Sequence, residues 1–157
     1  MPVSQGKQFE KILKTDFSSL PGSFIYRLPD QMTGFRVTSR NPSDFIGFVT
    51  PYCFLLEAKS ITGNTFPLTN LTQFEILNSY ENIPGLRRGV VIWFRDHKRV
   101  IYVPISTIKT MKEDNKKSVN IRTIETDGYN YMEIPTVTKR VFPKSDYSVL
   151  LNLPDNW

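Results

Sequence analysis

Asp44, Glu57 and Lys59 are the residues of this chain whose types and spacing are best suited to chemistry. Glu57 and Lys59 are two residues apart and would point to one face of a strand, because side chains alternate along it. Two carboxylates and a main-chain carbonyl, here that of Ala58, form a hard oxygen site suited to Mg²⁺, with Mn²⁺ as an alternative. A positioned lysine can orient water or offset charge developing on a phosphate. These residues predict metal-dependent hydrolysis of a phosphodiester.

A β-hairpin would bring the three side chains together. Strand-like runs cover residues 44–49 and 52–59, and only Thr50 and Pro51 separate them, which is the spacing of an antiparallel hairpin. Asp44 opens the first strand and Glu57 and Lys59 close the second, so the pairing returns all three to the same end of the sheet.

The remaining sequence alternates between helical and strand-like patterns. Apolar residues at helical spacing predict a helix over 6–17. Further on, Thr69 or Asn70 is expected to cap a second helix that ends at Pro84, and Ser106 a third that reaches Met111. Strands are predicted over 23–28, 89–94 and 99–103, with one or two more within 119–141 and a short helix over 146–153. This order predicts an α/β fold, a mixed central β-sheet flanked by helices.

Composition narrows the class of protein. The chain has 157 residues, and 20 Lys and Arg against 15 Asp and Glu give a net charge of +5, which favours a polyanionic partner such as nucleic acid. Its one cysteine, Cys53, permits no internal disulfide and no cysteine-based zinc cluster, as expected in a reducing cytoplasm. No signal-peptide pattern and no run of about 20 apolar residues is present, so we expect no membrane association. One domain over 1–157 is expected.

The spacing of Asp44 from Glu57-Ala58-Lys59 resembles the active-site signature of the PD-(D/E)XK nucleases. The continuation is more specific: Thr65-Phe66-Pro67-Leu68 and then Gln73 resemble the RecU family of Holliday junction resolvases, as does the N-terminal Gly6-Lys7-x-Phe9-Glu10. The resemblance implies a restriction-endonuclease-like core, a homodimer and cleavage of four-way DNA junctions with Mg²⁺. It also implies that Glu10 approaches the metal and that Gln73 holds the attacking water or a DNA phosphate. The setting it implies is a bacterial cell or a phage-infected host, and the short form of the chain suits a prophage or phage origin.

The chain departs from the RecU pattern between Asp30 and Pro42. RecU proteins carry a long stalk there, whereas this sequence offers only a short basic insertion, at about 31–42. Aromatic and arginine side chains in such a segment can stack on bases unpaired at a crossover. We therefore predict that Phe35, Arg36 and Arg40 contact DNA. Lys7 and Arg27 are predicted to do so as well, because they flank the proposed site in sequence and fold order.

Each assignment has a simpler alternative. Asp44 could cap a turn and Glu57 with Lys59 could be a solvated strand end. Glu10 and Lys14 could be an ordinary helix surface pair, and Gln73 a solvent-facing helix residue. At the level of function, the alternatives are another PD-(D/E)XK endonuclease of restriction or repair type, and a DNA-binding module without activity.

Overall fold

A computed structural model describes residues 2–30 and 41–157. Three α-helices are present in these residues, α1 (Gln5–Ser18), α2 (Phe74–Ser79) and α3 (Ile105–Glu113). The strands are β1 (Phe24–Arg27), β2 (Phe45–Val49), β3 (Tyr52–Ile61), β4 (Thr65–Pro67), β5 (Leu86–Phe94), β6 (Arg99–Pro104), β7 (Ser118–Asn120), β8 (Met132–Ile134), β9 (Thr136–Lys139) and β10 (Phe142–Ser145). Short 3₁₀ turns cover Leu68–Asn70, Arg95–His97 and Tyr147–Asn152.

Six strands form the central mixed sheet in the order β1-β2-β3-β5-β6-β8. Strands β3 and β5 are parallel, and the other neighbours are antiparallel. A parallel pair needs a crossover connection, and the segment between β3 and β5 supplies one that carries α2. Strands β9 and β10 form a separate hairpin, and β4 pairs with β7.

The hydrophobic core has two halves, one on each face of the sheet. Phe9, Leu13 and Phe17 of α1 pack with alternate residues of β3 on the first face. Helices α2 and α3 pack on the opposite face, where Leu55 of β3 contributes to the core. The fold class predicted from the sequence, an α/β structure with helices flanking a mixed sheet, is therefore confirmed.

The helix starts differ from those predicted. Helix α2 begins at Phe74 rather than after Thr69 or Asn70, because residues 68–70 form a 3₁₀ turn and Gln73 occupies the N-cap position without a side-chain cap. Helix α3 begins at Ile105 after Pro104, so Ser106 lies inside the helix instead of capping it. The predicted capping residues were wrong for both helices, because tertiary packing can override local sequence preference in setting where a helix starts.

The helices in the described residues are all too short or too polar to cross a membrane.

Candidate active site

The β2–β3 hairpin brings Asp44 beside the Glu-Ala-Lys segment. Phe45, the first residue of β2, pairs with Leu56, so the preceding residue, Asp44, lies next to the part of β3 that extends past the hairpin. There the Oδ2 atom of Asp44 accepts a hydrogen bond from the backbone N–H of Ala58 at 2.9 Å. Asp44 and the Glu57-Ala58-Lys59 segment, which begins thirteen positions later, therefore lie side by side in the structure, as predicted.

Glu57 is fully buried. Neither of its carboxylate oxygens has a hydrogen-bond partner in the described parts of the chain. Burial, followed by the proximity of the Asp44 carboxyl, raises the pKa of Glu57 to about 9, and the Lys59 ammonium opposes that rise. Lys59 Nζ lies 3.5 Å from Glu57 Oε2, which confirms that the two side chains share a face of β3. A buried carboxyl whose oxygens accept no hydrogen bond is costly unless a proton or a cation satisfies it.

The donor set fits a divalent cation with oxygen ligands. Glu57 offers two oxygens that accept no hydrogen bond in the described residues, although Oε2 is ion-paired with Lys59, and Asp44 has one oxygen beyond the hydrogen bond to Ala58. The N–H and C=O of a residue in an extended strand point to the same side, so the Ala58 carbonyl faces the side where Asp44 lies. The described residues contain no cluster of three His, Cys, Asp or Glu side chains suited to a metal. Two carboxylates, one carbonyl and several waters nevertheless match the ligand preference of Mg²⁺.

Gln73 reaches the same site from the start of α2. It lines, with Asp44, Ser43 and Thr72, an open cleft of about 290 Å³. The Oε1 atom of Gln73 accepts a hydrogen bond from the Thr72 hydroxyl at 2.9 Å, which leaves its amide N–H groups available as donors. The Gln73 side chain therefore lines the same cleft as the Asp44 carboxylate, and its role in holding water or a phosphate stays a prediction.

Glu10 does not join this cleft in the structure. Its Oε2 atom accepts a hydrogen bond from Arg27 Nε at 2.5 Å, and Arg27 Nη2 donates to Asp30 Oδ1 at 3.1 Å. The hydrogen bond to Glu10 is the main cause that raises the pKa of the Arg27 guanidinium. The surface pair considered for Glu10 and Lys14 is not formed, since Arg27 from β1 takes that carboxylate.

The predicted DNA contacts divide into two groups. Lys7 and Arg27 line a second cleft of about 300 Å³ together with Glu10, Lys11 and Lys14. The predictions on Phe35, Arg36 and Arg40 fall outside the described residues. The sequence analysis did not include Lys11 and Lys14 among the residues of this cleft, although their spacing of four and seven residues from Lys7 is a helical signal.

A helix, a run of antiparallel strands, a second helix and a strand parallel to β3 make up the core. With an Asp at the start of β2 and a Glu-x-Lys on β3, this arrangement places in one hairpin the residues by which the sequence resembles the PD-(D/E)XK nucleases.

Comparison with protein families narrows the class. The RecU family, described as Recombination protein U, matches residues 30–141. Among solved structures, the Holliday junction resolvase Hjc of the archaeal hyperthermophile Archaeoglobus fulgidus superimposes with a TM-score of 0.48 and 15% sequence identity, over 81% of this chain and 98% of Hjc. A comparison with curated protein sequences finds no match. The family match spans more than half of the chain, so the chain belongs to the RecU family of Holliday junction resolvases, and nuclease activity on such junctions is its function.

Proposed function

We propose that this chain hydrolyses phosphodiester bonds in four-way DNA junctions with a Mg²⁺ ion held by Asp44, Glu57 and the Ala58 carbonyl, Mn²⁺ being an alternative. The observation that carries this proposal is the fully buried Glu57 carboxyl without a hydrogen-bond partner in the described residues, next to Asp44. When bound, such a cation polarises the scissile phosphate and acidifies a water molecule. The family has this general chemistry, and the three ligands are our assignment.

Lys59 and Gln73 would act on the reacting groups. The Lys59 ammonium, 3.5 Å from Glu57, would offset negative charge that develops on the phosphate or orient the attacking water. The Gln73 amide, in the cleft with Asp44, would donate a hydrogen bond to that water or to a phosphate oxygen. Glu10 would act more remotely, through water or after its partner Arg27 moves, because Arg27 occupies its carboxylate.

A homodimer would supply the second cut. Resolution of a two-fold junction needs two symmetric nicks, and an isologous dimer presents two equivalent sites. The surface that supports it is the face of β1 and β2 that none of the described helices covers, where Phe24 is 56%, Tyr26 49% and Phe48 43% exposed. Phe24 and Phe48 are register partners and form one continuous apolar area.

Oligomeric state tests this surface. Phe24→Ser combined with Phe48→Ser should convert dimer to monomer in sedimentation velocity at micromolar protein. Val137→Ser combined with Val141→Ser is the matched control, since these two valines are also exposed. A monomeric wild-type protein, or dissociation by the control pair alone, would exclude Phe24 and Phe48 as the dimer contact.

The insertion at about 31–42 would adjust junction selectivity within a single domain covering 1–157. Phe35, Arg36 and Arg40 would contact bases unpaired at the crossover, a stacking contribution of about 1 to 3 kcal/mol per base. Replacing all three by Ala should weaken junction binding more than duplex binding at matched salt. Equal loss of affinity for both substrates would show that the insertion is only a general electrostatic contact.

We expect the protein to act in the bacterial cytoplasm or a phage-infected host, in line with its single cysteine.

Cleavage of labelled substrates tests the proposed activity. A labelled four-way junction and a linear duplex of matched sequence are incubated with Mg²⁺, with Mn²⁺ or with excess chelator. We expect cleavage of the junction with metal only, and junction binding in every condition, because basic residues supply most of the affinity. Equal cleavage in excess chelator would rule out the metal mechanism, and equal cleavage of duplex would rule out junction selectivity.

A further inference from the structure

Three lysines form a ridge along α1. Lys7, Lys11 and Lys14 are exposed, and their spacing of four and three residues places them on one face of the helix. At about 1.5 Å per residue, the ridge is about 10 Å long. We call these three residues the lysine ridge.

The lysine ridge carries net positive charge into its cleft. None of the three lysines has an ion-pair partner among residues 2–30 and 41–157. Arg27, the fourth cation of the cleft, is already bound to both carboxylates there, Glu10 and Asp30. The three lysine ammonium groups are therefore available to bind an anion from outside the protein.

The ridge leads towards the candidate active site. The N-terminal half of α1 lies at the end of β1, where Glu10 contacts Arg27. The other half lies by the middle of β2, since the Phe17 ring is 3.2 Å from the place that a Cβ of Gly47 would occupy. Asp30 lines both the ridge cleft and the cleft that contains Asp44, so the two clefts meet at this end of the sheet.

We propose that the lysine ridge binds successive phosphates of one DNA strand in a junction arm and guides that strand to Asp44. One DNA strand carries a phosphate about every 3.4 Å along the helix axis, so about three phosphates fit along the ridge. This proposal rests on the proposed function and adds Lys11 and Lys14 to its positioning residues.

Salt dependence of junction binding tests the ridge directly. The variant Lys7→Gln/Lys11→Gln/Lys14→Gln is compared with Lys112→Gln/Lys116→Gln/Lys117→Gln, which removes the same charge around the end of α3, on the opposite face of the sheet. Affinity is measured by fluorescence anisotropy in chelator, across a series of salt concentrations. The slope of log K against log salt should become shallower by about 2 to 3 for the ridge variant and stay near wild type for the control. Equal slopes for both variants would overturn the proposal.

Replacing charged DNA phosphates by neutral methylphosphonates shows which phosphates the lysine ridge contacts. Because the change is in the DNA, the wild-type protein can be used and its folding is not affected. A junction with methylphosphonates at three successive positions in the strand beside the scissile phosphate should weaken wild-type binding, and it should cost the ridge variant nothing further. Additive losses would show that the ridge does not bind that strand. A wild-type protein that binds through the ridge without cleaving the junction in Mg²⁺ would instead contradict the proposed function and leave the ridge intact. Lys→Arg at all three positions should restore binding.

Discussion

Asp44 Oδ2 accepts a hydrogen bond from the Ala58 backbone N–H at 2.9 Å, which ties the start of one strand to the middle of its neighbour. The bond holds the Asp44 carboxylate beside Glu57 and uses only one of its oxygens. Geometry and charge at Asp44 can therefore be separated by substitution.

Asp44→Asn should keep the hydrogen bond and lose the charge. Its amide oxygen can still accept from Ala58 N–H, so we expect a native fold and a cleavage rate lower by orders of magnitude. Single-turnover cleavage of a labelled junction measures the rate, and calorimetric titration with Mn²⁺ measures metal binding. Unchanged metal affinity would show that the Asp44 carboxylate is not a ligand.

Glu57 should make the stability of the metal-free protein depend on pH. The pKa of Glu57 is raised from 4.5 to about 9 in the folded protein, so the folded state holds a proton that the unfolded state releases. Stability should therefore fall as pH rises from about 5 towards 9, because the folded state binds more protons than the unfolded state over that range. Added Mg²⁺ should offset the loss at high pH, since it favours the ionised carboxylate.

Urea unfolding at several pH values checks this dependence. Glu57→Gln should remove the part of the pH dependence that wild type shows in this range, and Glu113→Gln, an exposed change on α3, should leave it in place. The same pH profile for wild type and Glu57→Gln would mean that Glu57 is not protonated in the folded protein.

The hairpin and its charged end follow from the sequence because the side-chain period of a strand fixes which residues share a face. Glu57, Lys59 and Asp44 meet as predicted for that reason. The Arg27–Glu10 ion pair joins residues 17 positions apart on a helix and a strand, and no local pattern specifies how α1 lies against β1. Arg27, which was predicted to contact DNA, forms ion pairs with Glu10 and Asp30 in the structure, and its contact with DNA stays a prediction.

The start of α2 and the lysine ridge are two further features that could not be predicted from the sequence alone. Gln73 could be placed near the site only through the family motif, because the 3₁₀ turn over 68–70 shifts where α2 begins. Lys11 and Lys14 had the helical spacing needed to join Lys7, but their importance depends on the cleft next to α1. Packing between elements distant in sequence decides both features.

Gly89 permits close packing on β5. A Cβ at this position would lie 2.2 Å from the buried Tyr102 ring. Gly89→Ala should lower the free energy of unfolding by about 1 to 3 kcal/mol through overpacking. Gly6→Ala is the control, since a Cβ there meets nothing within 4 Å and alanine favours a helix. Urea denaturation measures the free energy of unfolding of both variants. Equal values for Gly89→Ala and Gly6→Ala would show that the Tyr102 ring does not exclude a side chain at position 89.

Lys59→Met should slow cleavage without weakening metal binding. The Lys59 ammonium lies beside Glu57 but is not a metal ligand, so we expect a loss of about 10² to 10³ in the single-turnover rate, typical of a removed charge-stabilising donor. Mn²⁺ affinity, followed by calorimetry, should be unchanged or tighter. A matching loss of metal affinity would assign Lys59 to holding the site together instead.

Cleavage of a labelled four-way junction by Glu57→Gln, set against binding of the same junction, tests the central claim most directly. Glutamine preserves the shape of the side chain and removes its charge, and Glu113→Gln makes the same change on the exposed surface of α3. We predict that Glu57→Gln loses cleavage in Mg²⁺ by orders of magnitude and binds the junction as tightly as wild type or more tightly, with Glu113→Gln fully active. Wild-type cleavage by Glu57→Gln would contradict the assignment of the active site.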